Sequence, residues 1–113
     1  MQMSRAYLEE TVAAMGAAGF TVAGQRDRVT RQDGTAAYDR DRFELERGSN
    51  EDLVLECLRY ADGRETFWLE LRRVLTMRAT SFQLDSWKCW PDRVEFRFYA
   101  RDDGVALTFT LAL

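Results

Sequence analysis

Apolar positions change their spacing near residue 20, and that change separates two kinds of element. In SRAYLEETVAAMGAA, residues 4–18, Leu8, Val12 and Met15 recur at helical intervals with Tyr7, Thr11, Ala14 and Ala18 beside them. Ser4 is placed to cap the free amides of a first turn, and Glu9 and Glu10 lie toward the positive end of the helix. Gly19 stands where a left-handed residue commonly closes a helix. The pattern predicts one helix, rich enough in Ala and Gly to lie close on a sheet.

From Phe20 onward the spacing is two. Phe20–Ala23 can open a strand, whereas residues 24–41 are polar and carry only a turn signal at Asp33-Gly34, a possible hairpin tip. Phe43 and Leu45 alternate with Arg42, Glu44 and Glu46, as in a half-buried strand, and Gly48-Ser49-Asn50 interrupts it. Leu53–Tyr60, Asp62-Gly63 and Glu65–Val74 read as a hairpin with a two-residue turn. That register sets Leu58 against Phe67, Val54 against Leu71 and, less comfortably, Glu56 against Leu69. A final hairpin turning at Asp103-Gly104 pairs Ala100 with Leu107, Phe98 with Phe109 and Phe96 with Leu111 on one face. Arg101–Ala106, Tyr99–Thr108 and Arg97–Thr110 then pair on the other face.

Ser81–Cys89 forms a further strand, turning through Pro91-Asp92, in one of two registers. A two-residue loop puts Trp87 and Cys89 inward; a three-residue loop puts Phe82, Leu84 and Trp90 there, because one residue of slip exchanges the two faces of a strand. The architecture expected for residues 1–113 is a single α+β domain. Its N-terminal helix packs on one face of a mostly meandering antiparallel sheet of about five to seven strands. The expected core is Leu8, Val12, Met15, Phe43, Leu45, Val54, Leu58, Phe67, Leu69, Leu71, Val94, Phe96, Phe98, Leu107, Phe109 and Leu111.

Composition narrows the chemistry. A chain of 113 residues, 46% hydrophobic and 31% charged, suits one folded domain rather than a disordered segment. It contains no histidine, which removes imidazole from nucleophile pairs, general bases and zinc sites. Cys57 and Cys89 form no C-x-x-C pair and are too few for a disulfide scaffold, so a reduced, cytoplasmic setting is expected and neither a metal nor another cofactor is implied. No apolar run is long enough to span a membrane, and the acidic N-terminal stretch does not resemble a signal peptide. With 16 basic and 19 acidic side chains, the net charge is −3, which disfavours nucleic acid as a partner.

Several groups of residues remain as candidates for function. If Phe67, Leu69 and Leu71 point inward, Trp68, Glu70 and Arg72 point outward, joined by Leu53, Leu55 and Cys57 and, farther along, by Arg93, Glu95, Arg97, Tyr99 and Arg101. Trp, Tyr and Arg dominate binding hot spots because they are large, rigid and polar at one end. Trp68, Arg72, Arg97, Tyr99 and Arg101 are therefore the expected binding residues, with Asp102 and Asp103 at the rim. Against this stands ordinary cross-strand pairing, with residues 24–41 covering the aromatics.

Arg72, Arg73 and Arg78 could receive an anion, and Asp33, Asp39 and Asp41 a hard cation, although neither spacing matches a known loop. Glu56 is a candidate buried acid and Cys57 a candidate nucleophile with Arg59 nearby. No segment carries a family signature. The expected function is a small non-enzymatic inhibitor that occludes a protein partner, by analogy of size and class with toxin immunity proteins and phage-encoded blockers of host defence. Two alternatives are a small-molecule-binding or metal-independent enzyme domain, with Trp87 and Trp90 lining a pocket between sheet and helix, and a homodimer or larger structural assembly joined through its open sheet face.

Overall fold

The computed structural model describes residues 3–74, 80–99, 104 and 106–113. One helix, α1 (Arg5–Ala17), precedes seven strands: β1 (Thr21–Thr30), β2 (Ala36–Arg47), β3 (Glu51–Tyr60), β4 (Glu65–Val74), β5 (Thr80–Trp90), β6 (Arg93–Tyr99) and β7 (Ala106–Ala112). Every strand pairs antiparallel with its neighbour in sequence, giving a single meander in the order β1 to β7. This is the α+β class that the sequence implies.

Helix α1 ends as its sequence dictates. The Ser4 hydroxyl accepts a bond from the Tyr7 amide (3.1 Å) at the N-cap. At the other end Gly19, at φ +104°, lets the Phe20 amide donate to Met15 O (3.1 Å) and its own amide donate to Gly16 O (3.2 Å). This is the paired-bond closure that a left-handed residue permits, with Phe20 turned into the core. Glu9 lies beyond the first turn and serves the helix as an i,i+4 partner of Arg5 (3.4 Å).

Helix Leu8, Val12 and Met15 meet Leu45, Leu53, Leu55, Leu69, Leu71, Trp87 and Phe96 from the sheet in one buried cluster. Two polar bonds tie the helix to β5: the Trp87 indole N–H donates to Thr11 Oγ1 and the Cys89 amide donates to Tyr7 Oη, both at 2.9 Å. Arg47 closes the far end. It lies over the Phe20 ring and donates to Ala18 O (3.3 Å) and to Ala112 O (2.7 Å), so the sheet curls until β2 reaches the last residues of β7.

Several register expectations are corrected. β3 and β4 pair Cys57 with Phe67, Leu55 with Leu69 and Leu53 with Leu71, one position from the predicted alignment. The cause is the turn. Tyr60 exchanges backbone bonds with Arg64 and Gly63 (2.9 Å each), and Gly63 takes φ +85°, so the loop holds three residues rather than two. Leu53, Leu55 and Cys57 consequently face the helix, while Val54, Glu56 and Leu58 join Trp68 on the outer face.

The last hairpin is shifted by two. Phe98 faces Leu107, Phe96 faces Phe109 and Val94 faces Leu111; Arg97 opposes Thr108 and Tyr99 opposes Ala106. An even shift preserves both faces. Asp103 of the predicted Asp103-Gly104 turn, with Ala100, Arg101 and Asp102, lies outside the described residues. Leu107, expected in the core, is 42% exposed.

In β5 one proposed inward set, Trp87 and Cys89, occurs together with Phe82 and Leu84 of the other. An irregularity between Leu84 and Ser86 lets Leu84 oppose Phe98 on one side of it and Trp87 and Cys89 oppose Phe96 and Val94 on the other. Trp90 turns outward, with the Arg93 guanidinium 4.0 Å above its ring, so Trp87 and Trp90 do not line one pocket. Residues 24–41, expected as a possible cover over the outer aromatics, instead extend the sheet as β1, the Asp33-Gly34 tip and half of β2.

Candidate interaction surface

The outer face divides into two regions of different character. Across β1–β4 it is an ionic lattice. Arg40 grips Asp27 through two bonds (2.8 and 3.1 Å). Arg42 pairs with Glu56 and lies 3.6 Å from Glu44 and 3.7 Å from Glu70, while Arg72 lies 3.5 Å from both Glu44 and Glu70. Glu44, Val54 and Glu70 form one cross-strand row. Arg42, on β2, and Arg72, on β4, therefore cross β3 in opposite directions above Val54, which is 0% exposed although it faces outward. Long arginine stems cover the apolar side chain while their heads remain paired. Candidate residue Arg72 is thus committed to this lattice, and so is Glu56, which is no buried acid on the core face.

Across β5–β7 the outer face is open. Arg97 opposes Ser86 and Thr108, and Tyr99, opposite Ala106, is 52% exposed. Trp68 sits half-buried opposite Glu56 and Gln83, its indole N–H donating to Thr66 Oγ1 at 3.3 Å. The β5–β6 ladder, with Leu84 opposite Phe98, carries Tyr99 to the neighbourhood of Gln83 and so toward Trp68. Of Lys88, Arg93 and Arg97, which stand here, Arg93 is paired with both Asp92 (2.9 Å) and Glu95 (3.4 Å), and Asp85 is exposed at the β5 irregularity. Among the described residues Lys88 and Arg97 make no ion pair. Of the five predicted binding residues, Trp68, Arg97 and Tyr99 therefore share a neighbourhood; Arg72 belongs to the lattice, and Arg101 lies outside the described residues, as does Arg78 of the predicted anion site.

The other chemical candidates have structural occupations. Asp41, almost buried, is held by Arg26 (2.6 Å) and Arg5 (3.3 Å), and Asp39 by Arg28 (2.8 Å). Asp33 accepts bonds from the amide and hydroxyl of Thr35 (2.9 and 2.6 Å). Each predicted cation ligand thus faces an arginine or closes a turn, and no three carboxylates or thiols gather into a metal site among the described residues. Cys57 is buried and lies 3.3 Å from a Glu65 carboxylate oxygen, to which its thiol donates. Burial first, then that carboxylate, push its pKa up to about 12, while Arg59 opposes this only weakly. It is the reverse of an activated nucleophile.

Sequence inspection overlooked one feature. An open cleft of about 360 Å³ lies where the β1–β2 and β3–β4 tips meet, lined by Arg28, Tyr38, Asp39, Arg59, Tyr60 and small residues. Its charges are mutually satisfied, since Arg28 pairs with Asp39 and Arg59 lies 3.1 Å from Glu65. The pairing of Tyr38 with Tyr60 across β2 and β3 was hidden because Tyr38 lies in the polar stretch 24–41, which carries no strand signal.

Neither a protein-family pattern, nor a curated protein, nor a solved structure matches this chain.

Proposed function

We propose that the protein is a small non-enzymatic binding module that occludes a protein partner, using the outer face of β5–β7 with Trp68 at its border. The observation that carries this reading is the exposure, side by side on a braced sheet, of Tyr99 and of Arg97, which makes no ion pair among the described residues, next to a lattice in which Arg40, Arg42 and Arg72 are paired. A rigid strand presents these groups with little conformational entropy left to lose on binding, and an exposed phenol and guanidinium supply contact area and directional bonds. Arg97 offers its unpaired cation, so described among these residues, to an acidic group of the partner even though the whole chain carries −3.

The test is capture of the partner from the native host, followed by affinity measurement with variants. Arg97→Ala and Tyr99→Ala each weaken binding by about 2 kcal/mol, roughly 30-fold, with unchanged melting temperature. Asp27→Asn, in the lattice, leaves affinity within twofold. Equal affinities for all three variants refute the assignment of the face.

A further inference from the structure

We infer that the free edge of β7 accepts an extended, acidic segment of the partner as an eighth strand. This rests on the proposed use of the β5–β7 face and adds how the partner is held. The Leu113 amide donates to Asp92 O (2.9 Å), and β6 and β7 continue in that register without a break. Alternation in an antiparallel ladder then turns the N–H and C=O groups of Leu107, Phe109 and Leu111 toward β6. Those of Ala106, Thr108, Thr110 and Ala112 point away from the sheet. Arg47 supplies an independent check of this parity, because it finds the Ala112 carbonyl outside the ladder. The backbone groups of Ala106, Thr108 and Thr110 remain as a template for another strand.

Natural edges are usually blunted by charge, proline or bulges. β1, the opposite edge, follows that rule with Arg26, Asp27 and Arg28 and a register shift near its end. In β7 the sequence ALTFTLA has no charge, no proline and no register shift. Its side chain toward the helix face becomes less covered along the strand, from Leu111 at 3% exposure to Leu107 at 42%. An added strand would cover Leu107 with an apolar side chain.

Charge selects the occupant. On the outer face Thr108 is followed inward by Arg97, and Thr110 by Glu95 and then Lys88. A carboxylate on a strand beside Thr108 would lie two strands from Arg97, the span that Arg42 and Arg72 bridge across β3 to reach Glu70 and Glu44. A second copy's β7 brings no carboxylate of its own to these positions. The fitting ligand alternates apolar residues toward Leu107 and Phe109 with Glu or Asp toward Arg97.

The probe is a capped seven-residue peptide alternating valine and glutamate, titrated against the full chain while amide hydrogen exchange is followed by NMR. The expected result is at least tenfold slower exchange at Ala106, Thr108 and Thr110. A valine–lysine peptide binds at least tenfold more weakly, Arg97→Glu reverses that preference, and N-methylation of the peptide amides that face β7 abolishes binding. Thr108→Pro removes only an outward donor, so it blocks the peptide while preserving the β6–β7 ladder; the N-methyl peptide makes the same point without altering the protein. Three results overturn the inference: peptide binding with unprotected edge amides, equal binding of the lysine peptide, or concentration-dependent protection of the edge in peptide-free protein that sediments as a dimer. If Thr108→Pro leaves affinity for the captured partner intact while Tyr99→Ala destroys it, strand addition fails and the outer-face reading survives.

Discussion

Replacing Thr11 with valine removes one oxygen at almost constant shape, and the structure specifies what that oxygen does. Thr11 is fully buried in α1; its hydroxyl donates to Tyr7 O (2.9 Å) and accepts the indole N–H of Trp87 (2.9 Å). The Tyr7 ring stacks on Trp87 at 5.2 Å, and Tyr7 Oη in turn receives the Cys89 amide. In the variant, the Tyr7 carbonyl keeps its helical amide, but the indole N–H, 3% exposed with the rest of Trp87, loses its acceptor. An unpaired buried donor costs about 1–3 kcal/mol. Valine and threonine are both β-branched, so helix propensity changes little. The expected loss is about 2 kcal/mol, or roughly 8 °C in melting temperature for a domain of this size.

Trp87→Phe is the informative second arm. It deletes the donor, and Thr11 can still satisfy its own proton on Tyr7 O, so the cost is lost packing and a cavity of about 1–3 kcal/mol. In the double variant no indole is left to strand, and the penalty falls short of the sum by about 1 kcal/mol or more. Urea unfolding of the four proteins at constant m-value measures this coupling. Strict additivity, or a Thr11→Val protein as stable as the parent, would refute the view that this bond fastens the helix to β5.

Two titrations are also expected. Hydrogen bonding to Arg40 and Arg28 holds the Asp27 and Asp39 carboxyls below their usual range, so their stabilisation is present above about pH 4 and lost as pH falls through the lowered values. Urea midpoints of Asp27→Asn/Asp39→Asn between pH 2 and 6 should show a flatter acid limb than the parent, and parallel curves would contradict the pairing. Cys57 has the opposite sign: its folded pKa of about 12 lies above that of an exposed thiol, near 9, so the protein loses stability as pH rises between those values. Cys57→Ala should lessen that alkaline loss, and maleimide should reach Cys57 only through unfolding; native labelling at the rate of a free thiol would disprove the burial.

How much of this the sequence disclosed depends on whether one parity of each strand was distinctly apolar. In β6 and β7, Val94, Phe96, Phe98, Leu107, Phe109 and Leu111 alternate with charged, polar or small residues, so the faces were legible even though the register was two positions off. In β3, Leu53, Val54, Leu55, Cys57 and Leu58 occupy both parities, and the turn had to decide. Asp62-Gly63 suggested a two-residue turn, but Asp62 accepts the Arg64 amide (2.9 Å) within a longer loop closed by left-handed Gly63. Placing Glu56 against Leu69 was the warning, because a carboxylate on a core row requires a partner that row does not supply.

β1 and the start of β2 were illegible for another reason. Their helix-facing positions Arg26, Arg28, Asp39 and Asp41 are joined by ion pairs, so the strands pair correctly without an apolar stripe. The same physics divides the outer surface. Over β1–β4 the arginines meet carboxylates two strands away and shield Val54, whereas Arg97 and Lys88 find no such partners among the described residues. Identical residue types thus brace one half of the sheet and, in the other half, stand without ion pairs among the described residues. Neighbouring charge, rather than the presence of tryptophan or arginine, is the ground on which the binding surface is proposed beside β7.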